Sequence, residues 1–315
     1  MMLHVRFIPI LFGLIFITYI LPSCDKNEIL SPDIPEETED STAIEMLGTG
    51  SFVFDSYAPL SNKPVEVFYH VPLTATAYSP ILFVLHGGGR DGMQNRDQLI
   101  NKADQHNCIL VCPTFSSDYY PGGDSYNLGN VFVDGDNPSS SSLNPQSEWT
   151  FAVFEPLFDK IRASCISNVS VYDVMGFSAG AQVAHRFMIF SPNARINRIV
   201  AAASGWYTVL NNEITFPYGL EESPAEQLDL SLLFSKKLYV IVGSNDNDEN
   251  APGLRRNDIV DLQGLNRLDR AQHFYDEAQN SATSLSSAFN WEHHILPNVG
   301  HEFMGNSYFG MDLLY

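Results

Sequence analysis

Apolar residues in this chain gather into short runs rather than one continuous pattern. Runs at residues 52–57, 65–71, 81–85, 109–112, 170–174, 199–202, 238–242 and 290–295 have the length and the β-branched or aromatic content of strands. Between the later runs, apolar positions recur at helical spacing, which predicts helices over 97–106, 147–163, 178–190 and 266–280. The first two runs follow one another with no helix between them, whereas the later ones alternate with helices. That order predicts an α/β fold with a mostly parallel sheet of about eight strands, an antiparallel edge, and helices on both faces. Residues 114–146 and 207–235 break the alternation. Both leave from predicted strand ends, at the edge where open α/β sheets bind ligands, and loops this long in a compact domain tend to be functional or disordered.

The N-terminus follows a different pattern. Arg6 precedes an apolar stretch from Phe7 to Leu21 that ends in Leu21-Pro22-Ser23-Cys24, and it falls short of the ~20 residues that span a bilayer as a helix. It resembles the signal peptide and lipobox of bacterial lipoproteins, which implies a signal peptide over 1–23, lipidation at Cys24 and a place in the cell envelope, held to the membrane only through that lipid. Residues 24–49 carry many acids and no periodicity, the composition of a solvated tether, and leave 50–315 as the catalytic domain.

The 315 residues are 44% hydrophobic, enough for a large core, and carry a net charge of −20 with no basic stripe, which excludes nucleic acid as a partner. Beyond Cys24, Cys108, Cys112 and Cys165 are an odd number for a disulfide framework. Cys108 and Cys112 bracket the apolar run CILVC and read as buried strand-end residues, with a pair involving Cys165 as the alternative. No CxxC or HExxH spacing is present, so no metal site and no cofactor is expected.

The candidate chemistry lies where strand runs stop. VYDVMGFSAGAQVAHRF passes from strand to helix at Gly176-Phe177-Ser178-Ala179-Gly180, with glycines spaced to let strand and helix cross closely and expose a strained serine. Alone the motif is weak, since Ser178 could simply cap the helix it begins. ILFVLHGGGRDG runs a buried strand into His86 and then Gly87, Gly88 and Gly89, whose N–H groups can face a site without side-chain obstruction. LYVIVGSNDND ends a strand ahead of Asp246 and Asp248, and HILPNVGHEF places His301 just after the last strand. A serine needs an imidazole to take its proton and a carboxylate to orient that imidazole. Ser178, Asp246 and His301 supply all three in chain order. His185, His293 and His294 read as structural.

In these motifs the chain resembles the α/β-hydrolases, in the secreted esterase and polyhydroxyalkanoate-depolymerase-like branch, from about residue 52 to the C-terminus. The resemblance implies Ser178 as nucleophile, His301 as general base and acid, and Asp246 as the orienting acid. It implies oxyanion donors on Ala179 and among Gly87, Gly88 and Gly89, and metal-independent cleavage of carboxylic esters. A serine peptidase of the same fold and a non-catalytic glycan-binding lipoprotein are the competing readings. Trp206, Tyr207, Tyr119 and Tyr120 are expected beside the serine, where aromatic faces suit sugar or hydroxycinnamoyl rings and point to a carbohydrate esterase of acetyl or feruloyl groups. The acidic balance disfavours polyanionic substrates.

Overall fold

The computed structural model of the protein describes residues 46–315. The expected signal peptide, Cys24 and most of the tether lie outside the described residues. The strands are β1 (Gly48–Phe54), β2 (Val65–Val71), β3 (Ile81–Leu85), β4 (Ile109–Thr114), β5 (Tyr172–Phe177), β6 (Ile196–Ala202), β7 (Lys237–Gly243) and β8 (Glu292–Leu296). They form one sheet in the order β1-β2-β4-β3-β5-β6-β7-β8. β2 pairs antiparallel with both its neighbours, and all pairs from β4 to β8 are parallel. The expected mostly parallel sheet with an antiparallel edge is therefore present, although β1 begins at Gly48, inside the segment read as tether.

Every residue of β3 is buried, because a parallel strand covered on both faces has no wet side. The pleat sends Ile81, Phe83 and Leu85 into one core and Leu82 and Val84 into the other. Helices α2 (Phe154–Ser164), α3 (Ala179–Phe190), α4 (Leu230–Phe234) and α5 (Arg267–Ser284) cover the first face. Helices α1 (Gly92–His106) and α6 (Phe303–Leu314) cover the second through Leu99, Ala103, Met311 and Leu314.

The sequence pattern gave no α6. Its stretch FMGNSYFGMDLL carries two glycines and no strong amphipathic stripe, and its helicity comes from packing. Gly310 lets α6 lie close on the sheet, since a Cβ there would meet Val200 and Met175 at 3.0 and 3.1 Å. The single helix expected over 147–163 is broken into two short 3-10 turns ahead of α2, with Trp149 extended at ψ 143° between them. Cys108, Cys112 and Cys165 are all free thiols, so no pair with Cys165 forms. Burial pushes the Cys108 thiol up to about 12 and Cys112 higher still, which keeps both protonated and unreactive. Among the described residues, no helix is long and apolar enough to cross a membrane.

Candidate active site

Because β3 to β8 run parallel, the loops after β3, β5, β7 and β8 emerge on one edge. β3 and β5 are neighbours, so His86-Gly87-Gly88-Gly89 lies beside Ser178; β7 and β8 are neighbours, so the Asp246 loop lies beside the His301 loop. These loops are tied directly, Ser244 N–H donating to Leu296 O at 2.9 Å and Asn245 N–H to Val299 O at 2.9 Å.

Ser178 sits at φ 56°, ψ −115°, a conformation L side chains rarely adopt, and its N–H donates to Ala202 O at 2.9 Å. The flanking glycines explain how the turn closes. A Cβ on Gly176 would overlap the Gly180 carbonyl, and one on Gly180 would overlap the Leu85 carbonyl. The helix therefore starts at a distance from β3 and β5 that only glycines allow, and the serine projects from the turn.

His301 Nδ1 lies 2.7 Å from Asp246 Oδ2, and His301 Nε2 lies 3.0 Å from Ser178 Oγ. A carboxylate only accepts, so Nδ1–H donates to Asp246 and Nε2 accepts from the serine hydroxyl. The imidazole is held from one side by the Phe177 ring, with centroids 4.9 Å apart. Asp246 is buried, and its other oxygen takes a hydrogen bond at 3.2 Å from Arg267 Nη1, itself buried. Asp248 is exposed and accepts from Asn250 N–H at 2.8 Å, a local turn cap with no link to His301.

The glycine loop meets the serine from the other side. A Cβ on Gly87 would stand 3.6 Å from Ser178 Cβ, which measures how close that backbone comes. The N–H of Ala179, first residue of α3, has no carbonyl one turn back in its own helix. His86 holds the loop: Nδ1 lies 2.8 Å from Gly87 O, Nε2 accepts from Phe115 N–H at 3.0 Å, and its carbonyl accepts from Tyr126 Oη at 2.8 Å. Burial lowers its pKa to about 4 and keeps the ring neutral.

Ser178 and His301 open onto a cleft of about 740 Å³ lined by Gly88, Gly89, Arg90, Asn127, Gln182 and Arg267 among others. A second cleft of about 290 Å³ reaches Asp91, Gln94 and Phe303 on the far side of the glycine loop. The expected aromatic platform is in neither. Tyr120 is buried, its ring edge-on to Phe115 and its hydroxyl donating to Lys63 O. Tyr207 is buried and stacked on Phe274 at 4.3 Å. Trp206 is 4% exposed, packed on Tyr218 and covered by the Arg186 guanidinium at 4.2 Å. Tyr119 is 43% exposed but lines neither cleft. The physical reason is ordinary: large rings at loop bases gain more from burial in the core than from water. What the insertion does contribute to the first cleft is Ser117, Gly122, Gly123 and Asn127.

His185 is also structural, its Nδ1 2.8 Å from Ala181 O and its Nε2 accepting from Thr208 N–H. Sequence reasoning missed Arg90 and Arg267. Arg90 directly follows the glycine run, and Arg267 opens a predicted helix, but nothing in their spacing marked them. Among the described residues, no group of three His, Cys, Asp or Glu is placed to hold a metal.

Among solved structures, the chain is similar to poly(aspartic acid) hydrolase-1 from Sphingomonas sp. KT-1, at 35% identity and a TM-score of 0.78, over 85% of this chain and 98% of that one. It is also similar to a poly(3-hydroxybutyrate) depolymerase from Bordetella parapertussis, at 29% identity and a TM-score of 0.77, over 86% of this chain and 90% of that one. An S-formylglutathione hydrolase from Agrobacterium tumefaciens, at 14% identity and a TM-score of 0.54 over 85% of this chain and 94% of that one, shares the fold alone. No protein-family model matches the chain, and no curated protein sequence does. Sheet order, helix placement and these similarities make the fold an α/β-hydrolase fold.

Proposed function

This chain belongs to the α/β-hydrolase family of poly(aspartic acid) hydrolase-1, and we propose that within it Ser178, His301 and Asp246 cleave carboxylic esters through an acyl-enzyme. The observation that carries the reading is the continuous hydrogen-bond chain from Ser178 Oγ through both nitrogens of His301 to a buried carboxylate. Ser178 Oγ attacks the ester carbonyl as His301 Nε2 takes its proton, and Asp246 steadies the imidazolium. The oxyanion that forms is met by the Ala179 N–H and one from Gly87, Gly88 or Gly89. Collapse breaks the C–O bond, and His301 returns the proton to the departing alcohol. Water then attacks the acyl-enzyme by the same route, releasing the acid and free Ser178.

The same machinery cleaves amides, and the similarity to a poly(aspartic acid) hydrolase favours assaying an acidic polymer beside the esters. A sugar-decorating acetyl or feruloyl group as the natural substrate loses the stacking surface that motivated it, because Tyr120, Tyr207 and Trp206 are buried in packing. At the N-terminus, the apolar stretch ending at Cys24 supports the reading of a lipid-anchored envelope protein.

The test is Ser178→Ala. Removal of a triad nucleophile costs on the order of 10⁶ in turnover, so ester hydrolysis and labelling by a fluorophosphonate should fall to background. Activity within tenfold of wild type would reject the assignment.

A further inference from the structure

The larger cleft at Ser178 reverses the charge of the molecule around it. The chain carries 37 acids against 17 basic residues, yet the charged side chains lining that cleft are Arg90 and Arg267, with no carboxylate among them. Arg267 is already matched, since its charge faces Asp246. Arg90 is not: it has no ion-pair partner among the described residues.

Its guanidinium is nevertheless fixed. Nη1 donates to Phe115 O, and Nη2 donates to Tyr120 O and Gly122 O at 3.0 and 3.1 Å. Its carbon lies 4.4 Å from the centroid of the Tyr126 ring. Those three bonds leave its Nε–H and one Nη1–H without a partner among the described residues. The backbone is strained to bring it there, with Arg90 at φ 61° in the left-handed region, and its N–H closes a turn on Gly87 O at 3.2 Å. A half-buried cation, fixed by neutral carbonyls directly after the glycine loop, lacks only an anion from outside.

We propose that Arg90 is the specificity-determining residue of this site and binds a carboxylate on the substrate, a short chain away from the carbonyl that Ser178 attacks. The inference rests on the serine-hydrolase reading above. One unmatched guanidinium fits one carboxylate; the amides of Asn127 and Gln182 line the same cleft and provide donors for the remaining polar atoms. The preferred substrate is thus an ester or amide of a carboxylated acyl group or a carboxylated leaving group, in place of a neutral sugar ester.

The experiment compares matched ester pairs. One is para-nitrophenyl hydrogen adipate against its neutral methyl ester; the other is meta-acetoxybenzoate against methyl meta-acetoxybenzoate. A hydrogen-bonded charge pair corresponds to ten- to hundredfold, so wild type should prefer the anionic member of at least one pair by about tenfold or more in kcat/KM. Arg90→Met should bring that ratio to about one, and Arg90→Lys should restore part of it. No anionic preference in either pair, or a ratio unchanged in Arg90→Met, overturns the proposal. Calorimetric binding of adipate to Ser178→Ala protein reads recognition without chemistry. Binding weakened about tenfold by adding Arg90→Lys supports the proposal even where no ester is cleaved, an outcome that would reject only the hydrolase reading. Absent or unaltered binding rejects the role of Arg90.

Discussion

Two acids compete for one role at the residue scale. Asp246 and Asp248 are separated by a single residue, but the first is buried against His301 and Arg267 while the second caps a turn in water. Asp246→Asn should lower turnover by about 10⁴, because an amide can donate to Nδ1 and so favour the wrong tautomer. Asp248→Asn should leave kcat within about twofold, and steady-state kinetics of the two variants checks the choice. His86 gives a pH prediction. Its folded pKa is about 4 against 6.5 unfolded, so the unfolded chain binds the extra proton between those values. Stability should fall as pH drops from 6.5 to 4, by on the order of 3 kcal/mol in full, and His185 shifts in the same direction through burial. Ring resonances of His86 that stay neutral at pH 5 would bear this out; titration near pH 6.5 would contradict it.

Position decides function over composition at the scale of elements. The segment after β6 is rich in aromatics, and the expectation was that Trp206 would face substrate. Instead it is wedged among Tyr218, Arg186 and Arg255, while Tyr207 packs on α5 through Phe274. Arg186 is fully buried, its Nε donating to Thr208 Oγ1 at 2.8 Å and its Nη1 to Asn127 O at 3.1 Å, so the tryptophan also shields a desolvated cation. Trp206→Ala should therefore destabilise the fold by about 3 to 5 kcal/mol in denaturant unfolding. It should lower kcat/KM on anionic and neutral esters alike. A loss confined to one substrate would return Trp206 to the recognition surface. The crossing of α3 on β3 is set just as firmly, since Gly180 approaches the Leu85 carbonyl where no side chain fits.

Across the whole molecule, the acidic surface and the cationic cleft act at different ranges. A net charge of −20 repels anions at long range and is screened within about 8 Å at physiological salt. An anionic substrate is thus disfavoured on approach and favoured on arrival, so its on-rate rises with salt. The other molecular-scale expectation concerns attachment. Cys24→Ala should release the protein from membranes, because residues 7–21 are too few to span one and residues 24–49 are acidic. A processed Cys24→Ala protein that still needed detergent for extraction would contradict the anchor.

The pattern of apolar runs and turns by itself determined the sheet, its antiparallel edge, and the positions of Ser178, Asp246 and His301 at strand ends. These are readable because strand periodicity, glycine spacing and chain order are local properties of the sequence. The length of β5 through Gly176 to Phe177 and the helix α6 were not, since packing against neighbours fixes them. The fate of the aromatics was equally unreadable, because the same ring lines a cleft or fills a core according to which way its loop folds back. Only the tertiary structure separated Arg90, with no ion pair among the described residues, from Arg267, whose charge faces Asp246. Charge pairing is a property of distance in space, and residues 246 and 267 are neighbours only once β7 and α5 are packed.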